Sequence, residues 1–397
     1  MSDQVSDAMC TIRRTSYAAF AVACLHLVFG AIVRISGSGM GCGPHWPKCY
    51  GYWVPPMSRP DLVIEVTHRY LASFLLLSLI TLLVVTWRRR GTAGVRGRGG
   101  ALRSATLAVS LGFGAALLGA VTVKFGNAPL ATLAHWTVAM SLVATVAATV
   151  LRSGGLGGAT AQLGGGSRKT MRGAIAGAGL ALAAVVLGGL TAKYPGASVA
   201  CQAFPSCGRN PDVARAAVEV QLLHRTLAVL VVLHLVGLTI GVHKRREAAV
   251  IRRAVSVALS LGVLQLVVAG AMVLLRLPPV LRSLHEATGV SIWIATFVAA
   301  CLARLGADDG DSIALSTATS STQRAQGDIK RTQRTEPPNT DDFGDEGPAS
   351  EITSDQQASA SSLQSPAPSA LKIFSPGNHG RTMAHSVAVI VARGADQ

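Results

Sequence analysis

An all-α membrane protein, with eight transmembrane helices arranged as two pseudo-symmetric four-helix bundles, is the fold that three features of this sequence predict. Apolar stretches of about 20 residues, enough to cross a hydrocarbon core of roughly 30 Å, recur eight times in the first 305 positions. Basic residues gather in alternate connections between those stretches, as they do on the cytoplasmic side of polytopic proteins. A pattern of histidines and paired cysteines in the first half returns in the same order in the second, which points to duplication.

The composition agrees: half the residues are apolar, 14% are charged, and 42 are glycine. The expected spans are 16–36, 63–87, 104–124, 129–151, 173–193, 217–242, 254–276 and 280–304. Small residues crowd the third and fifth (Gly112, Gly114, Gly119; Gly177, Gly179, Gly188, Gly189), which reads as close helix packing in lipid rather than as sites.

A formal charge of +16 suggests nucleic acid in a soluble protein, but the placement of the charge excludes that reading here. Arg88, Arg89, Arg90, Arg96, Arg98 and Arg103 lie in the second connection; Arg152, Arg168, Lys169 and Arg172 in the fourth; Lys244, Arg245, Arg246, Arg252 and Arg253 in the sixth. These connections are expected inside, which puts both termini in the cytoplasm and the odd-numbered connections outside. Asp3 and Asp7 precede a first apolar run long enough to span, so no cleavable signal is expected and a plasma membrane is favoured.

The expected organisation is a four-helix half over 1–152, a cytoplasmic linker over 153–172 that is glycine-rich and loosely packed, and a second four-helix half over 173–305. A polar tail over 306–397, poor in large apolar residues, is expected to be disordered and cytoplasmic.

The repeat is plainest where IEVTHRYLASF, from Ile64 to Phe74, meets VEVQLLHRTLAVL, from Val218 to Leu230. His68, His135, His224 and His285 open the second, fourth, sixth and eighth spans, all running inward, so four imidazoles share one depth near the outer face. Their neighbours are Leu, Ala, Val and Thr, with no further carboxylate or thiolate to complete a zinc shell. Two histidines on facing helices suit axial ligation of haem iron, with apolar walls covering the ring. Each half then holds one haem. Arg69 and Arg225 follow two of these histidines and are expected to reach haem propionates or lipid headgroups. His26 and His234 read as deeper packing residues without symmetric partners, and His45 lies in an outer loop.

Cys42 and Cys49 (CGPHWPKC) and Cys201 and Cys207 (CQAFPSC) occupy outer connections, where paired cysteines ordinarily form disulfides. A structural staple and a redox-active pair both remain open for each. Cys10, Cys24 and Cys301 are expected to be inert. Glu65 breaks the symmetry. It stands three residues before His68 and shares its helix face, whereas Gln221 holds that place before His224, and Glu219 faces elsewhere. A carboxylate at membrane depth is costly and marks function; the competing reading is an interfacial glutamate near water.

Taken in order, GAIVRISGSGMGCGPHWPKCYG, EVTHR, LAHW, CQAFPSC, LLHR and LHEATG resemble haem A synthase, over about residues 16–304. That resemblance implies an enzyme oxidising a ring methyl of haem O to the formyl of haem A for cytochrome oxidase. It implies haem b as cofactor between His224 and His285, haem O as substrate between His68 and His135, and Glu65 as the catalytic acidic residue. Haem O synthase and oxidase assembly factors are the implied partners, in an integral membrane protein with no nucleic acid and with homo-oligomerisation left open. A non-catalytic di-haem cytochrome b, passing electrons between quinol and a partner, also accounts for four histidines; it leaves the one-sided Glu65 and the cysteines unexplained. A thiol-oxidising membrane protein accounts for the cysteines alone.

Overall fold

The computed structural model describes residues 2–334 other than 98 and 165. The described residues are helical apart from short turns: α1 (Ser2–Ile35), α2 (Pro60–Arg88), α3 (Ala101–Lys124), α4 (Pro129–Arg152), α5 (Gly158–Gly164), α6 (Arg168–Lys193), α7 (Arg215–Lys244), α8 (Ala249–Leu274) and α9 (Pro279–Arg334). All but the short α5 are long and apolar enough to cross a membrane, which makes eight spans, as the sequence predicts. Pro60 and Pro129 begin their helices where a missing N–H costs nothing. Ser167 caps α6 by accepting from the Thr170 N–H.

Helices α1 to α4 pack in sequence, and contact between α1 and α4 closes the ring. Its apolar centre holds Ala19, Ala23, Leu75, Leu79, Leu82, Ala105, Leu142 and Val146. In the second half α6 packs on α7 and α7 on α8, and residues of α9 such as Ile292, Trp293 and Leu302 share their core. The two halves meet along α4, which packs on α6 and is joined to α9 by a hydrogen bond from Trp293 Nε1 to the Met140 carbonyl (3.4 Å). Accordingly α4 and α9 bury 56% of their most apolar stretch, against 11–28% in the other spans. Close approach there depends on Gly189, where an added Cβ would lie 2.5 Å from the Trp136 ring.

Two expectations need correction. The fourth connection is not loose: α5 packs on α4 and α8, and its Ala161 is fully buried in the second-half core, because small residues let this turn fit between larger helices. The composition change near Gly306 does not end the last helix, which continues to Arg334. The rest of the expected tail, 335–397, lies outside the described residues.

The arginine-rich end of the second half is tied together by Glu247, in the turn between α7 and α8. Its carboxylate accepts from the Ser167 N–H (3.1 Å) and hydroxyl (2.5 Å), the Thr170 hydroxyl (2.5 Å) and Arg245 Nε (3.2 Å). Burial pushes this carboxyl upward, but the bonds from Ser167, Thr170 and Arg245 outweigh it and hold the group below its ordinary 4.5.

Candidate functional site

The opposite end carries the two cysteine loops, and the same construction appears there twice. After α1, Gly37 adopts a left-handed conformation (φ 73°, ψ 8°) and leads into the single turn Ser38–Met40; after α6, Gly196 (φ 75°, ψ −12°) leads into Ala197–Val199. Disulfides then join Cys42 to Cys49 and Cys201 to Cys207.

Each loop is anchored to the first turns of the next long helix. Glu65 Oε2 accepts from the Cys42 N–H at 2.8 Å, and Gln221 Oε1 accepts from the Cys201 N–H at 2.6 Å. Both side chains are buried. The correspondence read from sequence therefore holds in contacts. It also shows that either residue type meets the loop's need for an acceptor. Glu65 has one bond more: its Oε1 pairs with Arg69 at 2.5 Å. Arg69 further donates to the carbonyls of His45 and Pro47, both at 3.0 Å. In the second half Arg225 donates to Cys201, Ala203 and Ser206 carbonyls instead. Both arginines thereby tie the disulfide loops to the helix starts. Glu219 faces away, as expected, and pairs with the exposed Arg215.

Three of the four expected histidines are seated against glycine. An added Cβ would lie 3.4 Å from the His135 ring at Gly119 and 2.9 Å from the His224 ring at Gly188; Gly30, on α1, would meet His68 at 3.3 Å. Glycines read as packing seams are therefore parts of the histidine sites. His135 Nδ1 is bonded to the Ala115 carbonyl (2.9 Å). Twenty residues before His285, as Ala115 is before His135, Gln265 places its amide nitrogen 3.1 Å from His285 Nδ1. Thr288 holds the Gln265 amide in turn. The His224 and His285 rings meet edge to face, with centroids 6.4 Å apart and planes at 79°.

Between α1, α2, α3 and α4 lies a cavity of about 470 Å³, lined by His68, His135 and Glu65 together with His26, Arg34 and Glu286. His26, Arg34 and Glu286 were not foreseen as site residues. Arg34, from the end of α1, pairs with Glu286, the residue after His285, and so links the halves across the cavity wall. Nothing in local sequence connects positions so far apart. His26 was expected to lie deeper, but its ring stacks on His68 with centroids 4.4 Å apart and planes 10° apart. Depth explains the difference: His26 is nine residues from the end of α1 and His68 eight from the start of α2, or about 13 and 12 Å at a rise of about 1.5 Å per residue. His234 does pack, bonded to the Gly173 carbonyl (2.8 Å).

Among the described residues no cluster of three or more His, Cys, Asp or Glu is placed to hold a bare metal ion. In the first half His26, His68 and His135 line one cavity, and in the second the His224 and His285 rings lie edge to face. The fold and site together define a polytopic membrane protein that gathers imidazoles and carboxylates beside disulfide-stapled loops. Comparison with known proteins places it more closely. The COX15-CtaA family, described as cytochrome oxidase assembly protein, matches residues 13–297, and the chain belongs to that family. It is 30% identical over 227 residues to a heme A synthase of Shouchella clausii, covering 57% of this chain and 74% of that one. Identity is 29% over 231 residues to a heme A synthase of Geobacillus kaustophilus, covering 56% and 70%.

Proposed function

We propose that this chain is a haem A synthase, which oxidises a methyl group on haem O through a hydroxymethyl and a gem-diol to a formyl group. The observation that carries the reading is the one-sided carboxylate within a duplicated site: Glu65 lines a cavity with His68 and His135, while the equivalent residue beside His224 is the neutral Gln221.

The second half fits a resident haem b. His224 and His285, with ring centroids 6.4 Å apart, are the residues that would hold it. Gly188, whose added Cβ would lie 2.9 Å from the His224 ring, leaves that imidazole its room. A haem b held there would supply one-electron redox capacity. Gln265 orients His285.

The first half is where this chain's residues do the chemistry. His68 and His135 hold the substrate iron, and the Ala115 carbonyl fixes the His135 tautomer so that Nε2 is free to ligate. Glu65 accepts a proton or stabilises positive charge as the methyl is oxidised, with Arg69 and the Cys42 N–H keeping its carboxylate oriented. The arginine-rich connections support an orientation in a plasma membrane with both termini in the cytoplasm and the disulfide loops outside. Haem O synthase is then the supplier of substrate, and cytochrome oxidase assembly the destination of product.

The test is the haem extracted from the purified chain after co-expression with haem O synthase. Haem A, with haem b retained, is the expected result. A chain carrying haem b alone at both sites, and yielding no haem A, would instead be the electron-transferring cytochrome.

A further inference from the structure

We propose that His26 is a third ligand-competent imidazole in the first-half cavity, able to take the substrate's iron in place of His68. The inference rests on the reading that this cavity receives a haem.

Four observations carry it. His26 and His68 come from different helices, yet their rings lie stacked at 4.4 Å and nearly parallel, so each is within one ring width of where the other sits. Both line the cavity, as does His135. Nδ1 of each is buried and has no hydrogen-bond partner, whereas His135, His234 and His243 each bond a backbone carbonyl. A buried imidazole nitrogen left unbonded is costly, and a histidine serving only to pack would be expected to have found an acceptor. Finally, the second half has no such residue. His26 lies eleven positions before Gly37, and eleven positions before the matching Gly196 is Val185, with Ala184 beside it.

The asymmetry falls where a difference in task exists. A resident cofactor is bound once, but a substrate ring must enter, react and leave. Two adjacent imidazoles on one side of the ring let the iron pass from one nitrogen to the other while His135 stays on the opposite side. The exchange is a ligand substitution with no change in oxidation state: one iron–nitrogen bond breaks as another forms. Sideways displacement need not exceed the 4.4 Å between ring centres.

The test uses the full-length protein in detergent, titrated with ferric haem b and read by visible absorption and electron paramagnetic resonance. Wild type should bind two haems per chain, both low-spin. His68→Ala should keep a low-spin first-half haem with shifted g values, its affinity lowered by no more than about tenfold, whereas His26→Ala/His68→Ala should turn high-spin or fall by about 100-fold or more. The second-half haem reports folding in every variant, and His68→Gln, closer in size, replaces His68→Ala if that signal is lost. A His68 single variant that already behaves like the double variant overturns the proposal. Wild type that binds only one haem overturns the reading of the cavity itself, before His26 is tested.

Discussion

Replacing Glu65 with glutamine separates the fold's use of this residue from its chemical use, because the second half already contains the result. Gln221 accepts from the Cys201 N–H at 2.6 Å, so a glutamine at 65 should keep the Cys42 N–H bond now made at 2.8 Å. What is lost is the ion pair with Arg69, a buried charge-assisted bond of about 1.5–3 kcal/mol, while Arg69 keeps its bonds to the His45 and Pro47 carbonyls. Glu65→Ala additionally strands the Cys42 N–H, adding about 1–3 kcal/mol. Removal of a proton-handling carboxylate should lower turnover about 100-fold or more, a rise of about 2.7 kcal/mol in the barrier. Glu65→Gln should therefore stay folded, with Cys42 and Cys49 still protected from thiol reagents, but accumulate haem O or its hydroxymethyl form. Chromatography of extracted haems against thermal unfolding reads both quantities on one preparation. Unchanged haem A output would refute the catalytic role; lost output together with an opened loop would refute the separation of roles.

The glycine against the cofactor histidine gives a second expectation: Gly188→Ala places a Cβ 2.9 Å from the His224 ring and should disturb the second-half low-spin spectrum, whereas Gly119→Ala, at 3.4 Å from His135, should be tolerated. Arg34→Met leaves the Glu286 carboxylate without its partner and should destabilise by about 3–5 kcal/mol, and adding Glu286→Gln should recover much of that in a thermal double-mutant cycle. Because Glu247 is held below its ordinary value of 4.5, its contribution is complete at neutral pH and is lost as pH falls through the folded value. Glu247→Gln should accordingly flatten the acid limb of unfolding below about pH 5; an unchanged limb would remove this carboxylate as a cause.

What could be read in the sequence was whatever repeats or has a fixed period. Eight apolar runs gave the spans, and the recurrence of His-Arg after an acidic or amide residue gave the Glu65–Gln221 correspondence that the loop contacts reproduce. What escaped depends on distance between segments. The Arg34–Glu286 pair joins positions 252 apart, so neither residue carries a local sign of the other. His26 was misplaced because α1 and α2 run in opposite directions, and depth has to be counted from the shared end. The loop carbonyls that accept from Arg69 and Arg225 are likewise invisible in sequence, since they meet the guanidinium groups only once the disulfide loops are folded over the helix starts. Gly119 and Gly188 signalled close approach, but not that an imidazole was what approached.

The packing of Trp136 against Gly189 bears on how closely the halves approach. Trp136 follows His135, and Gly189 follows the glycine that seats His224, so the two proposed haem sites share a wall only two helices thick. Gly189 and Trp136 also line the first-half cavity, so a larger residue at 189 would press on the indole and reshape that cavity from the side of the second half.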